Sequence, residues 1–178
     1  FTYNPKVRWC FMKSDFTEAN PFPGAIAGRV VEVSDEPDLG APARLAFLSE
    51  DMLRQAQDLK AGLSVPDELK SAGLSGLIGL AHMHMSAGQT EQSLVAFKAA
   101  LALSPDDGDV WVDMARAANL GSGNSSVSAD GLSAAINGYE LSRTTAKRAD
   151  ALSVLALALE KTDAFRPALY AYKASLEI

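Results

Sequence analysis

The apolar positions of the chain follow two different periods. Near the start Val7, Trp9 and Phe11 alternate with Arg8, Cys10 and Met12, and aromatic and β-branched residues dominate. Turn residues at Asn4-Pro5 and at Pro21-Phe22-Pro23-Gly24 divide that region, so the pattern predicts short strands through residues 1–33, the last of them over 25–33. Residues 34–39 are acidic and turn-rich and read as a linker. From Leu45 the spacing changes to threes and fours through Leu48, Met52, Leu53, Ala56 and Leu59. That spacing predicts an amphipathic helix over about 43–59, with Pro42 in its first turn and Gly62 at its end. A short helix from Pro66 to near Gly73 follows, and the two helices of segment 34–73 are expected to cap the array that comes next or bridge it to the strands.

Beyond residue 73 the helical period itself repeats. Leu77, Leu80, Ala81, His84, Gly88, Ser93, Phe97, Ala100 and Pro105 form one helix-turn-helix unit, and Trp111, with Met114, Ala115 and Ala118, restarts it 34 residues after Leu77. The second unit is interrupted by small polar residues over 121–128, which predict a mobile loop, and its second helix is expected to resume at Leu132 with Ala135 and Tyr139 in the small and aromatic roles. A third unit starts near Ala149, seven residues late, and supplies Leu152, Leu155, Ala156, Leu159, Ala168, Tyr172 and Leu176. Units of this size cannot bury an apolar face alone; they stack. The pattern resembles the tetratricopeptide repeat, divided as 74–107, 108–148 with a loop insertion, and an incomplete 149–178. The fold class expected is mainly α: a tetratricopeptide-like helical array preceded by a small β-rich segment.

Composition narrows the function. With 178 residues, 48% of them hydrophobic, the chain can bury a core of one domain or two small ones. A net charge of −6 argues against nucleic acid, which requires clustered Lys and Arg; Lys6, Arg8 and Lys13 are the thin exception. The longest apolar run, 151–159, is far short of the roughly 20 residues a bilayer needs, so no transmembrane segment is expected. No secretion signal is visible, the chain starts without Met inside a predicted strand, and the last predicted helix has no polar capping helix behind it, so a longer parent chain is expected.

Catalytic and metal chemistry find little support. His82 and His84 stand two apart on a predicted helix, where their side chains point about 200° from each other and cannot converge on one ion. Asp106, Asp107 and Asp109 lack the Gly and distal Glu of a calcium loop and read as a solvated turn and helix cap. Gly121-Ser122-Gly123 lacks the Lys-Ser/Thr ending of a phosphate loop, and Asn124-Ser125-Ser126 is a formal glycosylation sequon. No nucleophile and base pairing can be assembled, so no enzyme and no cofactor are expected. The first helix of each unit should instead line an inner face with Ile78, His82, Met85, Val112, Arg116, Asn119, Ser153, Leu157 and Glu160. That mixture suits a peptide or a neighbouring domain, or else the chain's own flanking helix. Repeat proteins that clamp a peptide's terminal carboxylate carry Lys and Asn where Ile78 and Val112 stand, which argues against that role.

The first 30 residues contain more specific wording. Phe-Thr-Tyr-Asn-Pro at 1–5, Trp-Cys-Phe-Met-Lys-Ser at 9–14 and Gly-Ala-Ile-Ala-Gly at 24–28 resemble the closing half of a PAN/apple domain. The resemblance implies that Cys10 pairs with a cysteine upstream of this chain, in an oxidising compartment. Combined with the acidic linker and the run Phe-Arg-Pro-Ala-Leu-Tyr-Ala-Tyr-Lys-Ala-Ser-Leu at 165–176, the chain resembles the N-terminal region of bacterial alpha-2-macroglobulin-like proteins. That family implies a periplasmic or extracellular, protease-trapping parent, within which these residues serve as a non-catalytic interaction or anchoring module. The alternative is a periplasmic tetratricopeptide scaffold in envelope assembly or secretion; a hydrolase with an accessory repeat domain is a third reading.

Overall fold

The computed structural model describes residues 2–4, 9–11, 26–27, 45–121 and 125–177. Two compact units, Phe1–Asp38 and Leu39–Ile178, divide the chain. In the first, β1 (Thr2–Asn4) lies between β2 (Trp9–Phe11) and β3 (Ile26–Ala27), antiparallel to both. Tyr3 is opposite Cys10 on one side and Ile26 on the other. The turns expected at Asn4-Pro5 and at 21–24, the rest of the strand expected over 25–33, the linker at 34–39 and the helix start at 43 lie outside the described residues.

The second unit is a stack of paired helices. Helix α1 (Glu50–Ala61) and a single 3-10 turn (Asp67–Leu69) lead into α2 (Gly73–Ser86) with α3 (Thr90–Leu103), α4 (Gly108–Leu120) with α5 (Ser125–Leu141), and α6 (Thr145–Lys161) with α7 (Phe165–Glu177). Each pair packs on itself, α3 packs on α4, α5 packs on α6, and α4 also meets α6. The first and third pairs match at a constant offset of 75 residues, from Leu77 and Leu152 through Ala81 and Ala156 to Ser93 and Ala168, all buried. Their hairpin turns share the same closing bond. Gln89 N–H donates to the His84 carbonyl and Ala164 N–H to the Leu159 carbonyl, both at 2.9 Å. The residue at the turn has positive φ in each, Gly88 at 71° and Asp163 at 58°, the left-handed conformation in which Gly and, less readily, Asp close a helix. Small residues at the helix crossing are essential here: Ser93 sits close enough to α2 to donate its hydroxyl to the Ala81 carbonyl at 2.9 Å.

The middle pair departs from the sequence expectation. Residues 125–128 are not a loop; they begin α5, so the helix expected to resume at Leu132 starts two turns earlier. The third unit likewise begins at Thr145, with Thr144 capping it by accepting from Lys147 N–H, rather than near Ala149. The seven extra residues are therefore absorbed as helix, about one turn at the start of α5 and one at the start of α6. The wide burial of α5 supplies the reason: residues 131–139 are buried on every side, and tertiary packing outweighs the weak helix propensity of its Gly and Ser. The close approach to α4 is made by glycine, not by Ala135 and Tyr139 alone. A Cβ on Gly131 would lie 2.7 Å from the Ala118 Cβ, and one on Gly138 2.7 Å from Val112 Cγ2. Opposite them Trp111 is fully buried, its indole N–H donating to the Pro105 carbonyl at 2.9 Å.

Helix α1 also differs from its prediction. It starts at Glu50, seven residues later than the periodicity suggests, because Ser49 caps it and Glu50 and Asp51 suit its positive end. Leu45 and Leu48 are buried without being helical. Nor does α1 cap the first pair. Phe47 lies beside Tyr170 of α7 with ring centroids 6.3 Å apart, the Ala56 carbonyl accepts from the buried Asn137 amide of α5 at 2.9 Å, and Lys60 pairs with Asp106 at 2.8 Å. Residues 47–60 thus form a strap across the second helices of the pairs, running opposite to the order of the array. Asn137→Ala removes the donor from a buried carbonyl, a loss of about 1–3 kcal/mol. Hydrogen exchange over 50–61 is expected to accelerate at least tenfold while the helix content of the array stays unchanged; unaltered protection there would dismiss the pinning role.

Candidate functional site

The first helices α2, α4 and α6 present the face to which the sequence assigned a groove. Of the nine residues named for it, His82, Arg116, Asn119, Ser153, Leu157 and Glu160 are partly or fully exposed. Ile78 and Met85 are half-buried and packed against the core. Val112 does not belong to the surface: it is buried and pressed against Gly138 of α5. Ser153 turns its hydroxyl to the Ala149 carbonyl of its own helix, a common habit of serine inside helices.

A chain of polar contacts crosses the face from one pair to the next. His82 of α2 lies 3.4 Å from the Asp113 carboxylate of α4, its ring standing edge-on to Phe97. Arg116 donates to Asp113 at 2.9 Å and to Asp150 of α6. Burial alone would lower the Arg116 pKa, but Asp150 and then Asp113 reverse that, so the guanidinium is held more firmly charged than usual. One turn further along, the Asn119 amide donates to the Val154 carbonyl at 3.0 Å, and Lys161 donates to the Asn119 carbonyl and, at 2.7 Å, to that of Gly121. Lys161 thereby caps the carbonyl end of α4 with a positive charge.

Between these contacts lies an open cavity of about 280 Å³ lined by Arg116, Asn119, Leu120, Val154, Leu157 and Lys161. Leu120 and Leu157 are 74% and 46% exposed, unusual for leucines on a face whose polar groups are otherwise matched to each other. The sequence named Arg116, Asn119 and Leu157 and missed Val154, which is buried, and the exposed pair Leu120 and Lys161. Both stand four residues beyond a named position, on the same helical stripe, so following each helix one turn further reaches them.

The other candidates resolve into structural roles. His84 bonds to Gln89 at 2.6 Å in the hairpin turn, so the two imidazoles serve different partners, and among the described residues no cluster of three or more His, Cys, Asp or Glu can hold a metal ion. Asp107 caps α4 by accepting from Asp109 N–H and Val110 N–H. Asp106, held below the usual carboxylate range by the hydrogen bond and charge of Lys60, and Asp109, paired with Lys147, line a larger polar hollow of about 550 Å³ at the ends of the helices. Of the three acids in its lining, Asp106 and Asp109 have cationic partners and Asp107 is taken up by the α4 cap. Cys10 lies in β2, and Asn124 lies outside the described residues. No helix among the described residues is long and apolar enough to cross a membrane.

Glu160 is occupied by Tyr172 of α7, whose hydroxyl donates to it at 2.9 Å. Burial first, and then this hydrogen bond and the carboxylate charge, push the Tyr172 pKa up to about 12. A raised pKa in the folded state adds stability that is whole below the ordinary tyrosine pKa and lost as pH climbs through the folded one, here from about 10 to about 12. The difference in absorbance titration between the wild type and Tyr172→Phe should therefore centre near 12, and Glu160→Gln should bring it down; a midpoint near 10 would show that the contact is absent in solution.

Compared with known proteins, the chain matches no family model and no curated protein.

Proposed function

We propose that the helical array is a non-catalytic docking module that receives a segment of another protein, or of another domain of its parent, across the α2–α4–α6 face. One observation carries this reading: the open apolar cavity between α4 and α6, framed by side chains that are already fixed to each other. A preorganised rim with an unfilled apolar centre is what a protein interface needs before its partner arrives. The strap occupies the opposite side, on α5 and near α7, so the chain's own flanking helix is not the occupant of this face. A photo-crosslinking residue at position 120 or 157 of the full-length protein in its native host should yield discrete adducts, and one at exposed Gln57 of the strap should not. Adducts from Gln57 alone would overturn the assignment.

The finer reading is that this module belongs to a tetratricopeptide-like array in an alpha-2-macroglobulin-like parent of the periplasm or cell exterior, following a PAN/apple remnant. Its support is the residue wording at 1–5, 9–14 and 24–28 and the recurring period from Leu77 to Leu152. The reading frame beyond Ile178 should then encode macroglobulin β-sandwich domains, whereas further helical repeats would favour the periplasmic scaffold. Intact mass of the full-length protein with and without reductant should place Cys10 in a disulfide, and a permanently free thiol counts against the apple assignment.

A further inference from the structure

The geometry points to the kind of segment that fills the α4–α6 cavity: a leucine-sized side chain with a carboxylate residue directly beside it in sequence, the apolar group against Leu120, Val154 and Leu157 and the carboxylate on Lys161. This rests on the docking reading above. The cavity, at about 280 Å³, accommodates one or two side chains rather than a folded domain. Its lining contains two cations and no carboxylate. Three acids of this face are engaged elsewhere, Asp113 and Asp150 with Arg116 and Glu160 with Tyr172. Since two carboxylates already balance Arg116, the charge that selects a partner comes from Lys161. Its ammonium group has three N–H donors and, among the described residues, uses two on the Asn119 and Gly121 carbonyls, which leaves the third for an incoming oxygen. A basic segment would place a second cation against an ammonium that cannot move away without uncapping α4. The molecule as a whole has a net charge of −6 and repels acidic peptides, so any preference for one must arise locally.

The test is a methyl NMR titration of the whole chain with three short Gly/Ser peptides whose centres are Glu-Leu-Glu, Lys-Leu-Lys and Glu-Ala-Glu. The Glu-Leu-Glu peptide is expected to shift the Leu120, Val154 and Leu157 methyls and to bind roughly threefold or more tightly than Lys-Leu-Lys, an advantage on the scale of one exposed ion pair. Glu-Ala-Glu should bind roughly tenfold more weakly, having lost its anchor. Lys161→Glu should reverse the preference between the charged peptides, and Lys161→Gln should abolish it; the second variant keeps the test valid if the first perturbs the end of α4. Equal binding of the Glu and Lys peptides overturns the acidic assignment while leaving docking on this face intact. Failure of all three peptides to shift these methyls overturns the proposal, and if crosslinks from position 157 are also absent the docking reading falls with it.

Discussion

Trp111→Ala is expected to cost about 3–5 kcal/mol, a large part of the roughly 5–15 kcal/mol that holds a domain of this size together. The side chain is fully buried at the centre of the array, in the middle pair, and does two things there. Its ring fills the space beneath α5, where the Trp111 Cβ would lie 3.4 Å from a Cβ on Gly138. Its N–H satisfies the Pro105 carbonyl in the connection between α3 and α4, which fixes the angle at which the second pair leaves the first. Stacked arrays are stabilised by contacts between neighbours, so a defect in the middle pair weakens both junctions at once. Trp111→Phe retains most of the volume and loses the hydrogen bond, and should cost about 1–2 kcal/mol. Urea denaturation followed by circular dichroism separates the two variants; a loss below about 1 kcal/mol for the alanine variant would mean that the ring is not packed as described.

The legible parts of the fold were those encoded locally and repeated. Leu77, Ala81, Ser93 and Phe97 recur as Leu152, Ala156, Ala168 and Tyr172 because each pair must meet its neighbour in the same way. Where local and tertiary preferences diverge, the pattern misleads. The Ser/Gly-rich stretch at 121–128 has no apolar period, yet its residues 125–128 are helix, since α5 is surrounded by α4, α6 and α1 and gains from burial what it lacks in propensity. Leu45 and Leu48 fit a helical stripe only by spacing; the start of α1 was written instead in Ser49-Glu50-Asp51, a cap followed by acids. The strap's destination could not be read from periodicity, which is blind to non-local partners. Its one visible trace is Asn137, a buried amide in a segment of mostly small and apolar residues, which holds the Ala56 carbonyl.

The candidate face divides in the same way. Arg116, Asn119 and Leu157 follow from the helical stripe of each first helix, because residues four apart share a face. Val112 fits that stripe equally well but turns inward, since Gly138 leaves a recess on α5 that a valine methyl fills. A missing side chain on one helix thus decides the orientation on another, and no single-helix pattern contains that information. Asp113 and Asp150 became part of the site only when α4 and α6 were brought side by side around Arg116.

The recess at Gly138 yields the second large expectation, one of sign as well as size. Gly→Ala inside a helix ordinarily stabilises by about 0.5–1 kcal/mol, because alanine restricts the unfolded chain and favours helix. At Gly138 the added methyl would stand 2.7 Å from Val112 Cγ2 and 3.1 Å from the Val112 backbone nitrogen. Val112 is itself buried, so the methyl it would have to move has nowhere open to go, and the backbone atom cannot yield without shifting α4. Gly138→Ala is therefore expected to destabilise by about 1–3 kcal/mol net, as overpacked cores do. Gly79 provides the internal comparison: it lies within α2, is exposed, and a Cβ there meets nothing within 4 Å. Gly79→Ala should raise the melting temperature by a few degrees while Gly138→Ala lowers it by roughly 2–12 °C, using about 2–4 °C per kcal/mol for a chain of this length. If both substitutions stabilise, α4 and α5 do not approach as closely as described, and the inward turn of Val112 loses its physical cause.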